Sequence, residues 1–254
     1  MAPIRKGDGT PLEIPGVSEV RSGDGRVFFE GDAIPDSGGD HQWDYDDGEG
    51  TEVGDSIGSL TLNYTGISWV VNGGVGDAYA ELDGVDDYAS VDNDNFTHFI
   101  SGPEGTVFLS ARIDSPNDRR QLFGTERSGD NNNLSIEHTD GGYQSSLTIG
   151  GTSVAVDGGS VPAGEWVVLA WVVDSNNVTL YEAAPPDYDL TQINSGTTPP
   201  AGSGNWEFDV QFGREVDDRR YHDGGFDYSF VDSNARNVSD LQTIVDDIKD
   251  DLGD

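Results

Sequence analysis

The strongest constraint on the fold is one apolar run, Glu165–Val173, with the sequence EWVVLAWVV. Successive side chains of a β-strand point to opposite faces of the sheet, and this run is apolar at both odd and even positions. Such a pattern is typical of a central strand that is buried on both sides. Asn177–Glu182 follows after a turn at Ser175-Asn176 and is expected to pair with it.

Shorter alternating runs separated by glycine-rich turns predict the remaining strands. Along Thr106–Ile113, Val107, Leu109 and Ala111 share one face, whereas Phe108 and Ser110 lie on the other. The chain has 35 glycines, and Asp-Gly pairs favour tight turns. Further strands are expected at Tyr79–Asp83, Tyr88–Val91, Asn133–His138, Tyr143–Ile149, Ser153–Val156, Trp206–Gly213 and Phe226–Val231. The sequence therefore predicts an all-β protein.

One helix is expected close to the C-terminus. Ser239 and Gln242 have the spacing of a capping box, with the serine as the N-cap. Apolar residues then recur at helical spacing at Leu241, Ile244, Val245 and Ile248. Residues 250–254 are expected to form an acidic tail, and Pro185–Gly204 reads as a long loop.

Several short motifs, taken in order, resemble the laminin-G-like, concanavalin-A-type family. They run from His41 to Ile248, and Leu82–Tyr88 (LDGVDDY) is the most specific. The others are Trp43–Asp46, Asp55–Gly58, Gly164–Trp166, Val178–Tyr181, Phe212-Gly213 and Phe226-Asp227. The resemblance implies a jelly-roll sandwich of two antiparallel sheets over residues 39–249. It also implies binding of glycans or proteins through one face or the rim loops.

Charge indicates the environment. Asp and Glu number 48 against 13 Lys and Arg, which gives a formal charge of -35. Self-repulsion of this size destabilises a compact chain unless ions screen it, and the Debye length falls to about 3 Å at 1 M salt. The composition therefore indicates adaptation to very high salt. It argues against nucleic acid as a partner, which needs a basic surface.

Several classes of site and segment are missing from the sequence. There is no cysteine, which excludes disulfides and thiolate metal sites. Met1–Thr10 is polar and lacks the apolar core of a signal peptide. No apolar stretch approaches the roughly 18 residues of a membrane span, so no membrane insertion is expected.

Residues 1–38 differ from the rest and are called the N-terminal arm. An Arg-x-Gly-Asp-Gly motif at Arg5 recurs at Arg21, and each copy precedes a short apolar stretch. A segment this short cannot bury a core of its own. Two interpretations remain open: an arm that docks on a neighbouring subunit, or a strand pair packed on its own domain. The candidate assembly residues are Arg5, Leu12, Ile14, Arg21, Val27, Phe28 and Phe29.

The N-terminal arm also resembles the start of structural proteins from tailed viruses of halophilic archaea. This resemblance implies a virion structural protein, such as a fibre, spike or capsid decoration. Its expected partners are other virion proteins through residues 1–38, further copies of itself in a symmetric homo-oligomer, and host surface glycans. The expected location is the virion exterior. The alternative is a cellular lectin-like module, in the high-salt cytoplasm or on the cell surface of a halophilic archaeon.

The family resemblance further implies a structural Ca²⁺ ion, which prefers six to eight oxygen ligands. Asp83 and Asp87 flank a tight turn in the most specific motif, Asp55 lies in an earlier turn, and Asp227 enters a closing strand. These four aspartates are the candidate ligands. The alternative is that they are ordinary turn residues, because Asp in an Asp-Gly turn needs no metal.

Two places are candidates for ligand binding. Trp171 points to the opposite face from Trp166, and it lines a glycan-binding surface, an oligomer contact or a second packed layer. The run Arg219, Arg220, Tyr221 and His222 combines guanidinium groups with aromatic rings, which suits an acidic sugar. The alternative for this run is a local ion pair with Asp217, Asp218 or Asp223.

The sequence favours a protein without catalytic activity. Glycosidases of this fold carry a Glu-x-Asp-x-x-Glu strand, and Glu207 and Asp209 supply its first two acids. The third acid would fall at Phe212, so the catalytic pair is incomplete. A glycoside-active enzyme therefore remains only an alternative.

Overall fold

The computed structural model describes residues 20–23, 26–29, 37–45, 48–71, 74–75, 78–91, 104–125, 133–199, 210–215 and 219–252. The chain divides into two compact units, residues 1–34 and 35–254. In the first unit, β1 (Val20–Gly23) and β2 (Arg26–Phe29) form an antiparallel hairpin. Arg21, Val27, Phe28 and Phe29 lie on its strands, whereas Arg5, Leu12 and Ile14 lie outside the described residues. Their role in assembly stays a prediction.

The second unit is a sandwich of two antiparallel sheets, as the sequence predicts. Its strands are β3 (His41–Trp43), β4 (Glu52–Gly54), β5 (Thr61–Thr65), β6 (Ser68–Val71), β7 (Ala78–Asp83), β8 (Tyr88–Val91), β9 (Gly105–Ile113), β10 (Arg120–Gly124), β11 (Asn133–Thr139), β12 (Gly142–Ile149), β13 (Thr152–Gly158), β14 (Trp166–Val173), β15 (Asn177–Ala183), β16 (Thr191–Thr197), β17 (Val210–Phe212) and β18 (Asp223–Asp232). The first sheet has the order β13-β12-β11-β10-β17-β8-β5-β4. The second has the order β16-β15-β14-β9-β18-β7-β6, and β3 also pairs with β18.

The main core lies between the sheets, and β14 and β9 form the middle of the second one. Every residue of β14 is buried, which confirms the prediction of a central strand. The predicted faces of β9 are also confirmed, because its alternate apolar residues belong to the core cluster. The core residues contributed by these two strands are Val107, Leu109, Ala111, Ile113, Val167, Leu169, Trp171 and Val173.

The outward face of the second sheet is largely buried as well. Phe108 stacks on Phe230 with ring centroids 4.9 Å apart, and both residues are fully buried. Helix α1 (Val238–Ile248) buries all of its predicted apolar residues. Gln242 ties the helix to the chain before β16, accepting from Leu190 N at 2.6 Å and donating to Tyr188 O at 3.2 Å.

Two details of the C-terminal region differ from the sequence prediction. Asn237, not Ser239, caps the helix, and its side chain accepts from Asp240 N at 3.0 Å. Gln242 is therefore free to bond outside the helix. Residues 250–252 form a turn in which Leu252 is buried, so the predicted acidic tail begins packed against the domain.

No described helix is long and apolar enough to cross a membrane.

Candidate functional site

Strand pairing brings polar side chains together on the outward face of the first sheet. Gln121 lies opposite Glu137, and beyond a β-bulge Ser135 lies opposite Gly124, which itself lies opposite Gln211. Directly paired residues of antiparallel strands point to the same face. The side chains of Gln121, Ser135, Glu137 and Gln211 are called the polar floor. All four residues are at most 6% exposed, although they face away from the core.

Hydroxyl groups extend the polar floor across the sheet on both sides. Ser146 of β12 lies opposite Ser135, and their hydroxyls are 2.9 Å apart. Ser90 of β8 lies opposite Gln211, and both serines that extend the floor are partly open to solvent. The row thus crosses five strands with small side chains that can donate and accept hydrogen bonds.

Gln121 is the unusual member of the polar floor. It is completely buried, yet neither amide atom makes a hydrogen bond within the described part of the chain. Leaving buried polar atoms without partners costs about 1–3 kcal/mol per group. The amide lies directly over Gly124, where a Cβ would come within 1.6 Å of Gln121 Nε2. Glycine therefore makes the space that the amide occupies.

Arginine side chains border the polar floor. Glu137 accepts from Arg119 Nε at 2.5 Å and from Arg220 Nη1 at 3.1 Å. Glu215 pairs with the same Arg220 Nη1 at 3.1 Å and with Arg219 Nε at 3.5 Å. Arg220 adopts φ 56, an uncommon backbone conformation for a residue other than glycine. One guanidinium group therefore lies between two buried carboxylates.

Arg214 lies on the same side of the first sheet. Arg214 Nε donates to Gln211 Oε1 at 2.8 Å, which fixes one member of the polar floor. Its guanidinium carbon lies 3.4 Å from the centroid of the Tyr88 ring. This stacking leaves the arginine held by an aromatic face and an amide.

The structure separates the predicted ligand-binding residues. Arg219 and Arg220 lie at the polar floor, and their described ion-pair partners are Glu215 and Glu137 rather than Asp223. Asp217 and Asp218 lie outside the described residues. Trp171 is fully buried in the main core, so the prediction of a glycan-binding surface there is wrong. Tyr221 is partly buried, and its carbonyl oxygen accepts from Arg120 Nη1 at 2.5 Å.

His222, which the sequence analysis proposed as a ligand-binding residue, is fully buried beside His138. The two rings meet edge to face, with centroids 5.9 Å apart. Burial lowers the pKa of His138 to about 4, against the weaker opposing effect of the Pro116 backbone. Burial and the neighbouring His138 lower the pKa of His222 to about 3, although the Arg112 backbone acts in the opposite sense. Both rings are therefore neutral at pH 7.

Three aspartates meet at the turn between β7 and β8. Carboxylate oxygens of Asp83, Asp86 and Asp87 lie within 4.8 Å of one another, and this group is called the acidic rim cluster. Asp83 accepts from Val85 N at 2.8 Å, and Asp87 accepts from Asp83 N at 3.0 Å. Burial raises the pKa of Asp87, and the charges of Asp83 and Asp86 add to the effect. The oxygen-only donor set fits Ca²⁺ chemically.

The other two predicted metal ligands lie elsewhere. Asp55 contacts the His41 ring nitrogen Nδ1 at 2.5 Å and accepts from Gly58 N at 2.7 Å. Burial opposes ionisation, but these bonds and those from Gln42 and Leu60 outweigh it and lower the pKa of Asp55 to about 2. Asp55 is thus an ordinary turn carboxylate in hydrogen-bond contact with His41.

Asp227 is fully buried, and both of its oxygens accept from Val75 N, at 3.0 and 2.8 Å. Burial raises its pKa well above the usual value. Asp223, not Asp227, lies opposite Asp83 in the sheet. Four residues of a strand span roughly 13 Å, so Asp227 is too far along β18 to share an ion with Asp83. The predicted four-aspartate set does not converge, and only Asp83 and Asp87 remain together.

Neither a comparison with protein-family models nor one with curated protein sequences finds a match. Solved structures do match, over the sandwich. Domain 4 of AbnA, an extracellular GH43 arabinanase from Geobacillus stearothermophilus in complex with arabinotriose, has a TM-score of 0.63 at 18% identity. That match covers 81% of this chain and 97% of the other.

Toxin binding domains match with similar scores. The botulinum neurotoxin serotype D binding domain has a TM-score of 0.62 at 11% identity and covers 83% of this chain. The binding domain of Paraclostridial Mosquitocidal Protein 1 has a TM-score of 0.63 at 14% identity and covers 81%. This chain spans about half of each toxin domain, 51% in both cases. At these identities the matches establish the β-sandwich fold that this chain shares with binding domains of other proteins.

Proposed function

We propose that this protein is a glycan-binding β-sandwich and that the polar floor, together with the partly open Ser90 and Ser146, is its binding surface. The observation that carries the proposal is Gln121, a fully buried amide on an outward sheet face without a hydrogen-bond partner in the described part of the chain. A sugar hydroxyl both donates and accepts, so it can satisfy such an amide. The arabinotriose complex of the matched arabinanase domain supports a carbohydrate ligand on this fold.

The arrangement of charges supports binding rather than catalysis. A glycosidase needs two carboxyl groups with room for the sugar between them. At the polar floor, the Arg220 guanidinium lies between Glu137 and Glu215 and bonds to both. Glu207 and Asp209, the acids of the incomplete sequence motif, lie outside the described residues.

The finer proposal is a virion protein of a halophilic archaeal virus, with the N-terminal arm joining the sandwich to the particle. The formal charge of -35 supports a high-salt setting, and the division at residues 34 and 35 supports a separate arm. Particles assembled with a chain lacking residues 1–38 test it directly. Normal incorporation of the truncated chain would refute the arm, whereas purified virions that lack the full-length chain would favour a cellular lectin-like module.

The acidic rim cluster would hold the Ca²⁺ ion that the family resemblance implies, through Asp83, Asp86 and Asp87. Its role would be to stabilise the turn between β7 and β8. The test is the melting temperature with calcium and with a chelator, for the wild type and for Asp86→Asn, which changes an exposed residue. Calcium should raise the melting temperature of the wild type alone, and an equal response of both proteins would exclude this site.

Glycan binding at the polar floor is tested with a glycan array in molar KCl. Gln121→Leu removes the unpartnered amide, and Arg220→Gln removes the shared guanidinium. The matched control is Gln192→Leu on the exposed strand β16 of the other sheet. The first two variants should lose the signals that the wild type and the control share. Wild-type binding unchanged in Gln121→Leu would refute the polar floor as the surface.

A further inference from the structure

A separate pocket opens on the outward face of the second sheet, between β7, β9 and β14. It is called the aromatic pocket, and its volume is about 420 Å³. That volume falls within the range of about 300–1,000 Å³ typical of small-molecule sites. Its lining residues are Tyr79, Arg112, Gly164, Glu165, Trp166, Tyr188 and Leu252. The polar floor belongs to the other sheet, so the two sites share no residue.

Packing fixes the walls of the aromatic pocket. The Tyr79 and Trp166 rings meet nearly at right angles, with centroids 5.1 Å apart. Gly225 on the neighbouring strand makes room for them, because a Cβ there would lie 2.8 Å from Trp166 Cη2. Tyr188 donates its hydroxyl to Trp166 O at 3.2 Å. The rings are therefore held in place before any ligand arrives.

Trp166 contributes a hydrogen-bond donor to the pocket. Its side chain lines the pocket, and the residue is 5% exposed. An indole nitrogen can only donate, so it can bond to an acceptor oxygen of a ligand or of water.

Arg112 is already neutralised by its neighbours. It donates to Glu81 at 2.5 Å, to both oxygens of Asp114 at 3.1 and 3.0 Å, and to the Tyr79 hydroxyl at 2.9 Å. The carboxylate of Glu165 adds a further negative charge to the pocket wall. The net negative charge of the pocket would repel an anionic ligand, whereas it would not repel an uncharged hydroxylated ring.

We propose that the aromatic pocket binds a neutral sugar unit, as a second carbohydrate site. The apolar face of the sugar ring would lie against the tyrosine rings. Its hydroxyls would accept from the Trp166 indole N–H and donate to the Glu165 carboxylate. Aromatic faces suit the C–H groups of a sugar, and the few polar groups around them fix its orientation.

The test is saturation-transfer NMR and calorimetry in molar KCl with three neutral probes: arabinotriose, maltotriose and the fully N-acetylated chitotriose. Glucuronate and N-acetylneuraminate serve as anionic comparators. At least one neutral probe should bind, and Tyr79→Ala should weaken it about tenfold through loss of ring contact. Trp166→Phe, which keeps a ring but removes the N–H, should weaken it about fivefold.

Controls separate this site from general damage and from the polar floor. Tyr181→Ala removes a matched tyrosine from β15, and Glu165→Gln changes an exposed residue without risk to folding. The first should leave binding unchanged and the second should weaken it. Gln121→Leu, at the polar floor, should leave this binding intact. The proposal is overturned if no neutral probe binds, if the anions bind as tightly, or if Tyr79→Ala and Glu165→Gln both bind like the wild type.

Discussion

The buried pair His138 and His222 makes a specific prediction for stability against pH. In an unfolded chain, both rings have a pKa of about 6.5. In the folded protein, burial lowers the pKa to about 4 for His138 and about 3 for His222. Below pH 6.5 the unfolded state therefore binds more protons than the folded state. The free energy of unfolding must fall as the pH falls from 6.5 towards 4.

The size of the effect follows from these values. At pH 5 each ring is about 1.5 pH units below its unfolded pKa and still neutral in the folded state. At 1.36 kcal/mol per pH unit, each histidine costs about 2 kcal/mol and the pair about 4 kcal/mol. A typical domain has only about 5–15 kcal/mol to lose. The pair is thus a large part of the acid sensitivity.

Replacing one histidine isolates this contribution. His138→Phe removes one titrating ring, so the histidines' contribution to the loss of stability between pH 7 and pH 5 should fall from about 4 to about 2 kcal/mol. Buried carboxylates such as Asp227 act in the opposite direction, because burial raises the pKa of Asp227 and protonation favours the folded state. Asp227 is present in both proteins, so its effect cancels in the comparison.

The assay is urea unfolding, followed by tryptophan fluorescence at pH 7, 6 and 5 in one molar KCl buffer. Absolute stability will differ between wild type and variant, and the readout is the change with pH in each. Equal pH dependence in the two proteins would refute the reasoning. So would an NMR titration in which both ring signals of the folded protein move near pH 6.5.

Further expectations concern the core, the helix and the salt. Trp171→Ala should lower the free energy of unfolding by about 3–5 kcal/mol, measured by urea unfolding, because the ring is fully buried between the sheets. Asn237→Ala should cost about 1 kcal/mol by the same assay, whereas Ser239→Ala should change it by less than about 0.5 kcal/mol. Lowering the salt from about 1 M to 0.01 M lengthens the Debye length from about 3 to 30 Å, so the melting temperature should fall steeply. A flat response would show that the acidic surface is not tuned to salt.

Strands with apolar residues on alternate or all positions could be predicted from the sequence. β9 and β14 follow this rule, because their side chains supply the core. β16 could not be predicted in this way, because this edge strand (TQINSGT) is mostly exposed and shows no apolar alternation. The sequence interpretation placed it within a long loop. An edge strand is defined by its hydrogen bonds to a neighbour, and these leave no mark on its hydrophobic pattern.

The two tryptophans of β14 show a limit of periodicity. Their spacing correctly puts Trp166 and Trp171 on opposite faces, but both faces of this strand are buried. Alternation therefore cannot tell which tryptophan faces the core. In the structure Trp171 belongs to the core between the sheets, whereas Trp166 lines the aromatic pocket.

The polar floor carried a signal in the sequence that could have been used. In β11, Ser135 and Glu137 alternate with the core residues Leu134 and Ile136. The alternation alone would have predicted that Glu137 points to the outward face of the sheet. Its partners were not foreseeable, because Arg220 is far away in sequence and reaches Glu137 only through the fold. Pairing across the sheet, unlike periodicity along a strand, is a tertiary property.

The arginines connect the acidic composition to the kind of ligand this protein can hold. Six arginines of the described sandwich form ion pairs with carboxylates: Arg112, Arg119, Arg120, Arg219, Arg220 and Arg236. A guanidinium that is committed to a carboxylate offers little to an acidic sugar, and the surrounding charge of -35 repels one. Affinity for the proposed glycan ligand must then come from hydrogen bonds and aromatic contact, neither of which depends on long-range charge. Stability should therefore depend strongly on salt, whereas glycan affinity should not, provided that the fold is intact.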